Sequence, residues 1–136
     1  MGATALLILA LCGPGHASLA SHIDAAAKRW DVPADVLVSM VFVESTCRSD
    51  VVGPKGTVGL TQIAPDTRAA RGHSAEELKN PRLNLFLGAR HLRYWWNRCG
   101  DLPAALGVYN GSKSCPEGRK SDYVEIILRK TVLNSS

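Results

Sequence analysis

A chain of 136 residues, 46% hydrophobic and 21% charged, can build one domain with a real core but not two. Its formal charge of +4 favours anionic partners, yet the basic residues are scattered in singles and pairs such as Arg119-Lys120 and Arg129-Lys130. No nucleic-acid motif accompanies them, so the excess reads as solvated surface suited to an acidic environment.

The first stretch, Ala3 to Leu11, is an uncharged run of Ala, Leu, Ile and Thr, broken by Gly13-Pro14-Gly15 and followed by Ser18-Leu19-Ala20. This pattern predicts a secretory signal peptide over 1–20, removed after Ala20, and a single domain over 21–136. The alternative is a buried N-terminal helix or a short membrane tether; the run falls short of the about 20 apolar residues that span a bilayer. Cys12 follows Leu11 where a lipoprotein cleavage site wants a small residue, so no lipid anchor is expected.

The remainder predicts an all-α fold. A short helix covers Ile23 to Trp30, and Asp31-Val32 turns into a second one running from Pro33 to Cys47. Pro33 suits the first helical position and Asp35 the positive end of the helix dipole. Leu37, Met40, Val41 and Glu44 recur at offsets of three, four and seven, so a single carboxylate closes a stripe that otherwise reads as core. Such a group either suffers an ionisation penalty or keeps its proton near neutrality, and a proton held there is what a general acid needs. The bland alternative is an acid on the solvated edge of that stripe.

From Arg48 to Gly59 the composition turns to Asp, Gly, Pro, Lys and Thr, which predicts a loop or small irregular hairpin. Pro65 opens a short helix that Gly72 stops, and Ser74 to Glu77 matches a capping box ahead of Asn80-Pro81. The longest helix is predicted from Pro81 to Arg98, with Leu85, Gly88, Leu92 and Trp95 on one face. Another starts at Asp101 or Leu102 and halts at Asn110-Gly111. Ser121 caps the last, whose apolar face is Tyr123, Val124, Ile127 and Leu128.

Removal of residues 1–20 leaves Cys47, Cys99 and Cys115, which allows one disulfide with one cysteine outside it. Cys99–Cys115 is the favoured pair and Cys47–Cys99 the other plausible one; either fits an oxidising compartment. His22, His73 and His91 show no ligand spacing, so no metal is expected, and no nucleotide or redox cofactor motif is present.

Three polar clusters stand out. Glu44-Ser45 ends the second helix. Gln62 lies between apolar neighbours in Gly59 to Ile63, where its amide can meet a sugar or tie down the loop backbone. Tyr109-Asn110-Gly111 sets an aromatic ring beside an amide, although Asn-Gly by itself is a plain turn signal.

Taken together these clusters resemble the bacterial and phage lytic transglycosylases with the goose-type-lysozyme-like fold. That family's pattern is Glu-Ser, a Gly-x-x-Gly-Leu-Met-Gln segment, an Asn ahead of a helical Gly, Ala-Tyr-Asn-x-Gly, and a late Tyr-Val. The corresponding residues are Glu44-Ser45, Gly56 to Pro65, Asn84 with Gly88, Val108 to Gly111, and Tyr123-Val124, covering about Ile23 to Leu128. The resemblance implies a lysozyme-like all-α domain in which Glu44 is the single catalytic acid/base and Ser45, Gln62, Tyr109, Asn110 and Tyr123 serve the glycan. It implies cleavage between N-acetylmuramic acid and N-acetylglucosamine with 1,6-anhydromuramyl ends, in the periplasm or outside the cell. Peptidoglycan strands are then the partner, with a secretion or conjugation machine or a phage particle as the wider setting. A hydrolytic lysozyme and a non-catalytic wall-binding or assembly protein are the alternatives. Three departures stand against the pattern: Thr61 in place of Met as a cleft lining, Gly111-Ser112 in place of Ala-Gly, and Arg119 where many members carry an acid.

Overall fold

The computed structural model describes residues 2–135, with side chains described as far as residue 131. Among them the fold is all-α, with no strand and only isolated antiparallel bridges, Val52 with Val58 and Val58 with Ile63, in the small irregular hairpin. The helices are α1 (Ala3–Cys12), α2 (Leu19–Trp30), α3 (Ala34–Ser45), α4 (Pro81–Cys99), α5 (Leu102–Tyr109), α6 (Cys115–Arg119) and α7 (Asp122–Ser135). Single 3-10 turns lie at Pro14–His16, Arg68–Ala70 and Glu77–Lys79.

Helix α3 is the axis. Val36, Leu37, Val38, Met40 and Val41 are all buried, so it is apolar on nearly every side and is wrapped by α1, α2 and α7. An interior hydroxyl bond, Ser39 with Thr131 at 3.0 Å, ties it to α7. The helix stops because Thr46 and Cys47 take left-handed backbone at φ 49° and 66° and fold their N–H groups back onto Phe42 and Val41. It thus ends at Ser45, short of the predicted Cys47, and Glu44 occupies its last turn.

Helix α4 is started by Asn80, whose side chain accepts from the Leu83 N–H at 3.0 Å, with Pro81 at the first position, and is stopped by Gly100 at φ 86°. The long return between α3 and α4 holds its shape by a satellite core of Val58, Ile63, Ala69, Ala70, Leu78 and Leu87. The predicted capping box forms: Glu77 accepts from the Ser74 N–H at 3.0 Å and Ser74 from the Glu77 N–H at 3.2 Å. The helix expected from Pro65 to Gly72 shrinks to the Arg68–Ala70 turn.

What pins that return to the domain is Asn84, wholly buried in α4. Its Oδ1 accepts from the Thr61 N–H (2.8 Å) and hydroxyl (2.6 Å), while its Nδ2 donates to the carbonyls of Val58 and Leu78, both at 2.9 Å. Gly88 allows the approach, since a Cβ there would lie 2.4 Å from the Thr61 Oγ1. Asn84→Ala should orphan these buried groups and cost about 3 kcal/mol. Urea midpoints of the two proteins check this.

Two elements differ from expectation more substantially. Helix α6 forms between Gly111 and Ser121, where no helix is predicted, capped by Ser114 and held by the favoured Cys99–Cys115 disulfide. Helix α1 is seated in the main core through Leu7 and Ile8, and α2 begins at Leu19 instead of Ile23. The expectation of one cysteine outside any disulfide concerns the chain without residues 1–20; with those residues present, no described cysteine is free. Cys47 is bonded to Cys12, because the turn after α3 points it at the end of α1, with the Cα atoms 5.8 Å apart.

Candidate active site

The Glu44 carboxyl opens into a cavity of about 260 Å³ lined by Pro54, Lys55, Thr57, Gln62, Tyr109 and Asn110. One wall is the irregular hairpin after α3; the other is the C-terminal end of α5. Burial, opposed in part by the hydrogen bond that the Tyr123 hydroxyl donates to Oε2 at 3.0 Å, holds the Glu44 carboxyl up at about 7. Glu44 is therefore largely protonated just below neutral pH while still facing a cleft.

Its surroundings keep that state. Tyr123 is buried in α7 and Tyr109 half-buried at the end of α5, and burial raises both phenols, with the neighbouring Glu44 carboxylate adding to it. Both remain donors at any working pH. The Tyr109 hydroxyl donates to the Thr61 carbonyl at 2.7 Å, which locks the ring against the cleft floor. Behind it His91 lies 5.3 Å away, ring to ring. Burial, reinforced by Arg68 and Arg90, lowers His91 to about 4, so it is neutral and adds no charge to the site.

Of the residues expected to serve the site, Glu44, Gln62, Tyr109 and Asn110 line this one cavity. Tyr123 meets the acid from beneath. Ser45 does not line the cavity: it is buried, and its hydroxyl points at the Val41 and Leu60 carbonyls, both at 2.9 Å, so it ties α3 to the return. Gln62 lines the cavity with its polar atoms already engaged, donating to Val51 and Gly59 and accepting from the Thr57 hydroxyl at 2.6 Å. It shapes the wall. The Asn110 side chain makes no hydrogen bond among the described residues.

The departures are also placed. Thr61 is wholly buried with its hydroxyl on Asn84, so it does not line the cleft. Arg119 donates to Asp101 at 2.7 Å, a strut for the start of α5. Sequence reasoning missed Pro54, Lys55 and Thr57, whose Gly-Pro-Lys-Gly surroundings signal a turn without saying what the turn faces.

A site of this kind can donate a proton from Glu44 and take one back. Among the described residues no second carboxylate lines it: Asp50, the nearest downstream acid, is exposed and lies 3.8 Å from Arg48. A larger groove of about 670 Å³ between α2 and the start of α4 is less suited to acid chemistry. Its one carboxylate, Glu77, is exposed and held below the usual range by its bonds to Ser74 and His73.

A family model, the Transglycosylase SLT domain, matches residues 21–123, a span that contains every residue of the cavity and ends on Tyr123. The chain belongs to the transglycosylase SLT family. The lytic transglycosylase Slt of Pseudomonas aeruginosa, solved as an inactive mutant, shares the fold at a TM-score of 0.70 and 20% identity, over 85% of this chain and 23% of that one. Sequence relatives include the endo-type membrane-bound lytic murein transglycosylase A of two Klebsiella pneumoniae strains, each 34% identical over 76 residues. Those matches take in 49% of this chain and 37% of each relative, so the chain spans well under half the length of its curated relatives. Within this SLT fold, α3, the irregular return and α5 are the parts that build the cleft.

Proposed function

We propose that this SLT domain is a peptidoglycan lytic transglycosylase that cleaves the β-1,4 bond between N-acetylmuramic acid and N-acetylglucosamine. The observation that carries the reading is a single carboxyl, Glu44, pushed up to about 7 in an open cleft that holds no second acid. Conventional glycosidases use two carboxyl groups, about 5–5.5 Å apart when retaining and 6.5–9.5 Å when inverting. A one-acid cleft suits a reaction in which the substrate supplies the missing group.

Glu44 gives its proton to the glycosidic oxygen as the bond to muramyl C1 breaks, and N-acetylglucosamine leaves as an alcohol. The oxygen of the muramyl 2-acetamido group closes on C1 and takes up the positive charge. Glu44, now ionised, removes the proton of the same sugar's C6 hydroxyl, and O6 displaces the acetamido oxygen. The product is a 1,6-anhydromuramyl end; no water is consumed and Glu44 regains its proton. Tyr123 holds the ionised carboxylate by its hydrogen bond and so eases the middle of this cycle. Purified sacculi digested with the full chain should release anhydromuropeptides on mass analysis. Reducing muramyl ends would make the enzyme a hydrolase, and no soluble product would overturn catalysis.

The setting we propose is outside the cytoplasmic membrane, in the periplasm or wall. The uncharged run before Ser18-Leu19-Ala20 supports export, and the Cys99–Cys115 disulfide, which survives removal of residues 1–20, fits an oxidising compartment. The cleavage point lies inside α2 and α1 is bonded to Cys47, so removal of residues 1–20 would take away Cys12, the partner of Cys47.

A further inference from the structure

We propose that Lys55 is a substrate-binding residue that takes a carboxylate carried by the muramyl sugar, and so sets which sugar lies over Glu44. The proposal rests on the transglycosylase reading above and deepens it.

Among the residues lining the cleft, Glu44 and Lys55 alone bear ionisable charge of acid or basic type. The Lys55 ammonium has no hydrogen bond or ion pair among the described residues, and the neighbouring acid, Asp50, is placed against Arg48. Nor does the lysine serve the catalytic acid: a cation close to Glu44 would pull its carboxyl down, whereas burial holds it up and only Tyr123 opposes. The charge is thus unpaired in the cleft that holds Glu44.

The turn that carries it is well fixed. Pro54 and Lys55 are the central residues of a tight turn closed by the Gly56 N–H on the Gly53 carbonyl at 3.0 Å, with the Gly53 N–H on the Thr57 carbonyl at 2.7 Å. Gly56 takes φ 81°, which glycine allows at no cost, and Thr57 anchors the turn to Gln62. At Gly53 a Cβ would lie 2.5 Å from the Thr57 hydroxyl, so the turn presses directly on the Gln62 wall. The base of the Lys55 side chain is therefore set relative to Glu44, while its length lets the ammonium search.

The chemistry of the glycan says what such a cation meets. N-acetylglucosamine is neutral, whereas muramic acid carries a 3-O-lactyl group. That group ends in a free carboxylate on strands stripped of their peptides; on intact strands it is an amide, and the stem peptide brings carboxylates of its own. A lysine on one wall favours the strand register that places a muramyl unit, not its neutral neighbour, at the acid.

The test compares the full-length wild type, Lys55→Met and Lys55→Arg on four glycans. These are neutral chitohexaose, amidase-stripped glycan strands, the same strands with the lactyl carboxylates methylamidated, and peptide-bearing strands. Lys55→Met is expected to raise KM on a carboxylate-bearing strand about two- to fivefold, the scale of one exposed charge pair, with kcat and the pH limb near 7 unmoved. Chitohexaose binding should be unaffected, Lys55→Arg should restore the wild-type KM, and salt should erase the difference. An effect on stripped strands that methylamidation removes identifies the lactyl carboxylate; an effect confined to peptide-bearing strands identifies the stem. Equal change on neutral and anionic glycans, or none on any, overturns the proposal. If the wild type cleaves nothing, the transglycosylase reading fails separately, and equilibrium titration of the same four glycans against all three proteins still decides the role of Lys55.

Discussion

Glu44→Gln should reduce glycan cleavage by at least the about 10²–10⁴-fold typical of general acid–base transfer, while leaving the protein folded and more stable than the wild type. The amide keeps the size of the side chain and a hydrogen-bonding partner for Tyr123, but it carries no transferable proton. The loss should exceed the usual range because no other carboxyl lines the cavity to take over. Catalysis lost with strand binding retained is the signature of an interaction used in the transition state. Zymography on sacculi, with equilibrium binding to stripped strands, separates the two. A variant that still cleaves at a near wild-type rate would remove Glu44 from the mechanism.

The stability gain follows from the same burial. The Glu44 carboxyl titrates near 4.5 when unfolded and at about 7 when folded, so the folded state holds its proton more tightly. Its favourable share is fully present below pH 4.5 and is lost progressively as pH rises to about 7, amounting to about 3 kcal/mol. Glutamine has no charge to desolvate. The stability difference between variant and wild type should therefore be small at pH 4.5, grow through pH 6 and level off above 7, as read from urea melts across that range. Wild-type turnover should fall above pH 7 as the acid ionises. A stability difference that does not change with pH would mean that the carboxyl is not held in the buried, raised state.

How much of this was legible in the sequence depends on the kind of signal each residue carries. Periodicity placed Glu44 at the end of a buried stripe, since offsets of three, four and seven need only helix geometry. The caps at Asn80 and Ser74 were readable because their partners are three residues away. Ser45 was not, because one step along a helix turns the side chain by about 100°, which sends Glu44 to the cleft and Ser45 to the interior. Gln62, Thr61 and Asn84 are long-range polar contacts: the family pattern marks Gln62 and Asn84 and sets Thr61 apart, yet only the fold shows that Asn84 takes the Thr61 hydroxyl and that Gln62 is engaged at both ends of its amide. The uncharged run at Ala3 to Leu11 satisfies a leader and a core helix equally, so hydropathy could not predict the seat of α1 beside α3. Helix α6 was hidden by its Pro-Glu-Gly composition; a serine cap and a disulfide supply what propensity lacks.

The other large effect is expected at Gly107. In an unconstrained helix alanine is preferred to glycine by about 1 kcal/mol, so Gly107→Ala in α5 would ordinarily stabilise. Here a Cβ would stand 2.1 Å from the Gly118 carbonyl oxygen and 2.3 Å from its Cα, both backbone atoms of α6. The contact is reciprocal, since a Cβ on Gly118 would fall 2.6 Å from the Ala104 carbonyl. Helix α6 has little room to retreat. The Cys99–Cys115 disulfide holds its first residue, and the Arg119–Asp101 pair holds its last to the cap of α5. The clash must then be absorbed by moving α5, at a cost of about 3 kcal/mol. Tyr109 and Asn110 lie at the end of that helix, so the cleft wall opposite Lys55 moves with it and turnover should fall together with stability. Urea midpoints and sacculus clearance rates on the same preparations test both halves. A Gly107→Ala protein as stable as the wild type would show that α5 and α6 do not touch backbone to backbone.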